Sequence, residues 1–165
     1  CDGLGAGRTA EPFLRLIECA DDAADALEEA IFILSLIAED HHQGWNAELR
    51  ASLCGLADKV LEAAQDHVRA LAVARTLDEA SLAEDQEEFL AVCWRVVDAE
   101  KLCDVLTREA RRLIARHVSD AATLTLGNDF AAALEASTDA LLRTGYAMRG
   151  LVFTRIGADQ EWRRT

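Results

Sequence analysis

The chain has 165 residues, a formal net charge of −13 and a sequence pI of about 4.6; 51% of the residues are hydrophobic, 5% are aromatic and there is one proline. That length suits one domain around one core. The acidity works against phosphate backbones and anionic lipid, which sets nucleic-acid and membrane-surface binding aside and makes cations and basic protein surfaces the natural counterparts. Alanine, leucine and glutamate dominate, a mixture that favours helix over a sandwich or barrel.

The longest apolar run, Ala30 to Ala38, contains Ser35 and ends in acids. It is too short to span a bilayer, so no membrane-inserted segment is expected. Five cysteines occur (Cys1, Cys19, Cys54, Cys93, Cys103) and none forms Cys-x-x-Cys. An odd number without close pairs points to a reducing compartment, hence a cytoplasmic location. Cys19, Cys93 and Cys103 lie in apolar helical contexts, where a free thiol acts as a small core residue. The start at Cys1 is read as a processed or trimmed product; a cleaved lipoprotein is the less favoured reading.

In chain order, residues 1–10 read as a loose lead-in with three glycines. Pro12 suits the first turn of a helix. Phe13, Ile17, Ala20, Ala24, Leu27, Ile31, Leu34 and Ala38 then form a heptad-like seam, ending near Asp40. Asn46 is a plausible N-cap for a second helix, with the seam Leu49, Leu53, Leu56, Val60, Ala63, His67, Ala70, Ala74 and Leu77. A further apolar stripe on that helix holds Leu61, Val68 and Leu71. Ser81 and Glu84 make a capping box that starts a third helix. Its seam is Phe89, Val92, Val96, Ala99, Cys103, Leu106, Ala110, Leu113 and His117. Residues 119–128 interrupt the pattern, with Gly127-Asn128 the strongest break. A fourth helix starts near Asn128 and carries Phe130, Leu134, Thr138, Leu141, Gly145, Met148 and Val152, with Gly157 as its stop.

The expected fold is an all-α, up-and-down antiparallel bundle of about four long helices. It forms a single domain over residues 1–165, with a core at 11–157 and loose ends at 1–10 and 158–165. Helices of roughly 25 to 35 residues would make it about 40 to 50 Å long.

Acid pairs four apart recur on three of these helices. Glu18 and Asp22 are followed by Asp25 and Glu29; Glu100 and Asp104, and Glu135 and Asp139, form the others. On a helix, positions i and i+4 share a face. Each of the last two pairs sits one position beyond seam residues, so the pairs flank the packed seam. If those helices are neighbours, four carboxylates converge, and such oxygen clusters bind hard cations. The plain reading is a solvated acidic face, and both stay open on the spacing alone. Di-iron chemistry needs two Glu-x-x-His motifs; only Glu39 and His42 have that spacing. His67 reads as a hydrogen-bonded core residue. No Gly-rich phosphate loop and no Ser-His-Asp arrangement stands out.

Ile17-Glu18-Cys19-Ala20-Asp21-Asp22-Ala23-Ala24-Asp25-Ala26-Leu27-Glu28-Glu29-Ala30, Val97-Asp98-Ala99-Glu100-Lys101-Leu102-Cys103-Asp104 and Leu134-Glu135-Ala136-Ser137-Thr138-Asp139 resemble the carboxylate signatures of PhoU-like proteins. The nearest pattern is that of the PhoU-related accessory proteins of Pit-type phosphate transporters. The resemblance covers most of residues 13–156 as short motifs, and the chain is too short for a complete two-bundle PhoU. It implies a non-enzymatic, cytoplasmic regulator of inorganic phosphate uptake, peripheral to a membrane transporter. It also implies a divalent or ferric ion held on Glu18, Asp22, Asp25, Glu100, Asp104, Glu135 and Asp139. The partner would be a phosphate transporter or regulatory protein, or a second copy in a homo-oligomer. Two other readings stand beside it: a metal-free structural or signalling bundle that self-associates or binds a partner helix, and a carboxylate-bridged metalloenzyme.

Overall fold

The computed structural model describes residues 6–37, 45–77, 81 and 83–162. Four α-helices follow in chain order: α1 (Ala6–Ile37), α2 (Ala47–Thr76), α3 (Ala83–His117) and α4 (Ala121–Trp162). No strand occurs among the described residues, and no helix among them is long and apolar enough to cross a membrane. The expected all-α bundle is what forms. α4 is its hub: it packs against α1, α3 and α2, while α2 packs on α3. α1 packs chiefly on α4, while its Ile33 and Ile37 share a core cluster with Leu49, Leu53 and Leu56 of α2 and Leu113 of α3.

The helix starts follow from their caps. Asn46 is extended (φ −72°, ψ 171°), and its side-chain oxygen accepts the Leu49 N–H at 2.8 Å, as its position before the second seam implies. Asp120 plays the same part for α4, its Oδ2 accepting the Thr123 N–H and the Thr123 hydroxyl at 2.8 Å each. α3 begins at Ala83, two residues after Ser81.

Three of the four seams lie where the periodicity puts them. Leu49, Leu53, Leu56, Val60, Ala63 and Ala70 are buried on α2; Phe89, Val92, Val96, Ala99, Cys103, Ala110 and Leu113 on α3; Phe130, Leu134, Thr138, Leu141, Met148 and Val152 on α4. The polar members of the α4 seam close their hydrogen bonds locally. The Thr138, Ser137 and Thr144 hydroxyls donate to the carbonyls of Glu135, Leu134 and Ala140 at 2.9, 2.7 and 2.7 Å, so no buried hydroxyl there is left without an acceptor.

α1 departs from expectation by one residue. The buried positions are Cys19, Ala23, Ala30, Ile33 and Ile37, each one before the expected seam, and one residue is about 100° of helix rotation. Ala23 clusters with Ala140, and Ala30 with Ala131 and Ala133. Small residues on both sides let the backbones approach closely, which the bulk of Phe13, Ile17 and Ile31 would prevent.

Four further expectations change. α1 starts at Ala6, inside the stretch read as loose, so Pro12 lies inside the helix. There it removes one backbone hydrogen bond. The stretch 121–128 is helical, with the Asn128 side-chain amide donating to the Leu124 carbonyl at 2.9 Å. Gly157 does not stop α4, which continues to Trp162. At 42 residues α4 exceeds the expected length and spans about 60 Å. The end of α1 near Asp40 lies outside the described residues.

Gly127 tests the continuity of α4. A Cβ there would meet Ile114 Cδ1 at 3.4 Å and Trp45 Cζ2 at 3.5 Å, ordinary contacts. Inside a helix, alanine is favoured over glycine by about 1 kcal/mol. Gly127→Ala should therefore raise the melting temperature by about 2 to 4 °C; a clear drop in a calorimetric scan would mean that the helix breaks there.

Candidate functional site

The four carboxylates of α3 and α4 lie near enough for the charges of the other three to act on Glu100. Glu100, Asp104, Glu135 and Asp139 are all half-buried at the junction of the two helices. Burial pushes the Glu100 carboxyl above the usual carboxylate range, and the charges of Asp104, Asp139 and Glu135 push it further, with Lys101 pulling the other way. The equal offset of the two pairs from their seams is the cause, since it brings both to the same flank of one helix–helix contact.

Arginines already answer part of this charge. Arg108 Nη2 donates to Asp104 Oδ2 at 2.7 Å, and Arg111 lies 3.5 Å from a Glu135 oxygen. Among the described residues, no three His, Cys, Asp or Glu side chains gather closely enough to hold a metal ion. The Cys103 thiol behind the cluster is fully buried and pushed up to about 11, so it offers no thiolate.

The α1 acids do not join the four. Glu18, Asp22 and Asp25 are exposed, and none of them acts on Glu100. Asp22 instead accepts from Arg143 of α4 at 3.3 Å. Among the histidines, His67 is half-buried with Nδ1 unpartnered among the described residues, and burial lowers its pKa. Its Nδ1 lacks, among the described residues, the hydrogen bond expected of it. Glu39, His41 and His42 lie outside the described residues.

A second feature comes from the rotation of α1. With its small-residue stripe turned to α4, the stripe carrying Phe13, Ile17, Ile31 and Leu34 is left 43 to 69% exposed. The Asp22–Arg143 pair and the groove shared by Pro12 and Arg15 with Tyr146 and Thr154 mark the edge of α1 that meets the outer side of α4. The free stripe lies on the other edge. On α2, Asp66 pairs with Arg95 of α3 at 3.2 Å, which marks the α3 edge. Leu61, Val68 and Leu71, 40 to 65% exposed, lie on the opposite edge. Both stripes therefore face the side between α1 and α2, where the two helix backbones stand apart above the shared core. Leu27 of α1 and Ala57 and Ala64 of α2, partly buried against the core, form its floor. The α2 stripe is visible in the sequence; the α1 stripe is visible too, but reads there as core.

Comparison with protein-family models, with curated proteins and with solved structures returns no match.

The carboxylate cluster makes a pH-dependent prediction. Because Glu100 is raised in the folded state, folding binds a proton there between the unfolded and folded pKa values. Stability falls as pH rises through that window, and the penalty persists above it. Glu100→Gln should therefore stabilise the protein at pH 7. The gain should shrink with added salt and disappear below about pH 4. Urea titrations at both pH values measure it; destabilisation at pH 7 would show that the Glu100 charge is compensated in the fold.

Proposed function

We propose that this chain is a non-enzymatic interaction module whose open α1/α2 edge receives a helix from another protein. The observation that carries this reading is the pair of exposed apolar stripes on the two lips of that edge. Seven large side chains (Phe13, Ile17, Ile31, Leu34, Leu61, Val68 and Leu71), each exposing on the order of 100 Å², bring roughly 700 Å² of apolar surface to the lips. A monomer rarely exposes a contiguous apolar patch beyond a few hundred Å² without using it, and about 800 Å² per partner makes a specific interface. An amphipathic helix laid in a groove is the recognition mode that fits two parallel stripes.

A second reading is favoured by the convergence of Glu100, Asp104, Glu135 and Asp139. The negative potential of this patch attracts a cation, in line with the PhoU resemblance and a role in regulating phosphate uptake. With Arg108 and Arg111 already in place, the cation would be held weakly. Calorimetric titration with Mn²⁺ tests it: heat lost in Glu100→Gln/Asp139→Asn supports the reading, and equal heat in both proteins removes it.

The leading reading is tested by selecting helical 20-residue peptides from a display library on the wild-type protein. Ile31→Glu/Val68→Glu changes two positions 69% and 65% exposed, so stability should move by no more than about 0.5 kcal/mol each. Selected helices should bind the double variant at least 100-fold more weakly, the loss of two buried side chains at about 1.5 kcal/mol or more each. Failure to select any binder, or binders indifferent to the double variant, would overturn the reading.

A further inference from the structure

Resting on the proposed docking of a partner helix, we infer that the occupant of the α1/α2 groove is an amphipathic helix whose apolar seam is flanked by lysine or arginine. The argument is the charge along the rim. On α1, Asp21 and Glu28 follow the free stripe one turn beyond Ile17 and Ala24, on the side away from α4. On α2, Asp58 and Gln65 run along the corresponding edge, both exposed. None of these three acids makes a hydrogen bond or ion pair among the described residues, in a chain where Asp66, Asp104 and Glu109 all find arginines. The groove thus has an apolar floor and lips with unanswered negative charge along its middle.

Among the described residues the basic side chains bordering the α2 lip are Arg50, Arg69, which already pairs with Asp66, and Arg75; Arg50 and Arg75 lie about 25 residues or seven helical turns apart. A helix lying between them would meet Asp21, Glu28 and Asp58 from positions beside its apolar seam, the arrangement by which flanking charges choose partners in coiled coils. Unlike charges across such a rim speed association and select among partners. A second copy of this chain is the poorer occupant. It would bring a net charge of −13 and its own Asp21, Glu28 and Asp58 to the same rim, and like charges there are repelled. An anionic lipid surface is disfavoured on the same ground.

Three synthetic 21-residue helices test this on the intact protein, sharing a Leu/Ile seam and differing only at the flanking positions: lysine, glutamine or glutamate. The lysine peptide should bind at least 10-fold tighter than the glutamate peptide in 50 mM salt, with the glutamine peptide between them. The difference should shrink to less than about 3-fold in 1 M salt, where exposed charges are screened within a few ångströms. Asp21→Lys/Glu28→Lys should reverse the order of the lysine and glutamate peptides without changing helicity. Equal affinity for all three, abolished by Ile31→Glu/Val68→Glu, would overturn the charge inference and leave helix docking standing. Binding of none of them overturns both. Sedimentation showing a dimer that the same double variant dissolves would assign the groove to a second copy and overturn the inference as well.

Discussion

α1 is apolar around much of its circumference, with Leu14, Phe32 and Leu36 exposed as well as Phe13, Ile17 and Ile31, and only one of its stripes can face α4. That constraint decides the architecture. The stripe of small residues at Cys19, Ala23 and Ala30 permits close packing on Ala131, Ala133 and Ala140 of α4. Dispersion contacts multiply as backbones approach. The stripe of large residues remains outside, with Ile31 the most exposed of its members. A conventional four-helix ring would have covered it with α2. Here α2 is drawn instead towards α3 and α4, and the ring stays open on one side.

Much of this was legible in the sequence. α2 and α3 have one dominant seam each, and the residues at alternating three- and four-residue spacing are those that the core takes up. The N-cap at Asn46 was legible because the side-chain oxygen of an asparagine before an apolar-periodic run has one obvious use. α1 was not, because the two stripes are both periodic and the larger side chains weigh more in any hydrophobicity pattern. What settles the choice is the shape of α4, a long-range fact that the local sequence of α1 does not contain. The break expected at Gly127 failed for a similar reason. Asp120 caps the helix about two turns earlier, and glycine's intrinsic penalty of about 1 kcal/mol is smaller than what helix continuity and packing return. The stop expected at Gly157 and the start expected at Pro12 rest on the same local propensities, and both are overrun.

The acids divide in the same way. The equal offset of Glu100/Asp104 and Glu135/Asp139 from their seams was enough to anticipate convergence once α3 and α4 were neighbours. The α1 acids carry a similar spacing, but the rotation of α1 turns them to the outer edge, where Asp22 meets Arg143. Sequence spacing reports which residues share a face of one helix, and only the packing reports which faces meet. Of the arginines that answer these acids, Arg108 is legible in the sequence, since it stands four residues after Asp104, the separation at which opposite charges on a helix pair; Arg111 reaches Glu135 only through the packing of α3 on α4.

The rotation of α1 is therefore the central claim, and thiol accessibility measures it most directly. In a background with Cys1→Ser and Cys54→Ser, the latter removing the exposed thiol among the described residues, Ile31→Cys and Ala30→Cys place probes one residue apart. Alkylation kinetics should show Cys at position 31 modified at close to the rate of an unstructured thiol, and Cys at position 30 protected at least 100-fold. Protection at 31 with rapid modification at 30 would place the large-residue stripe against α4 and close the groove.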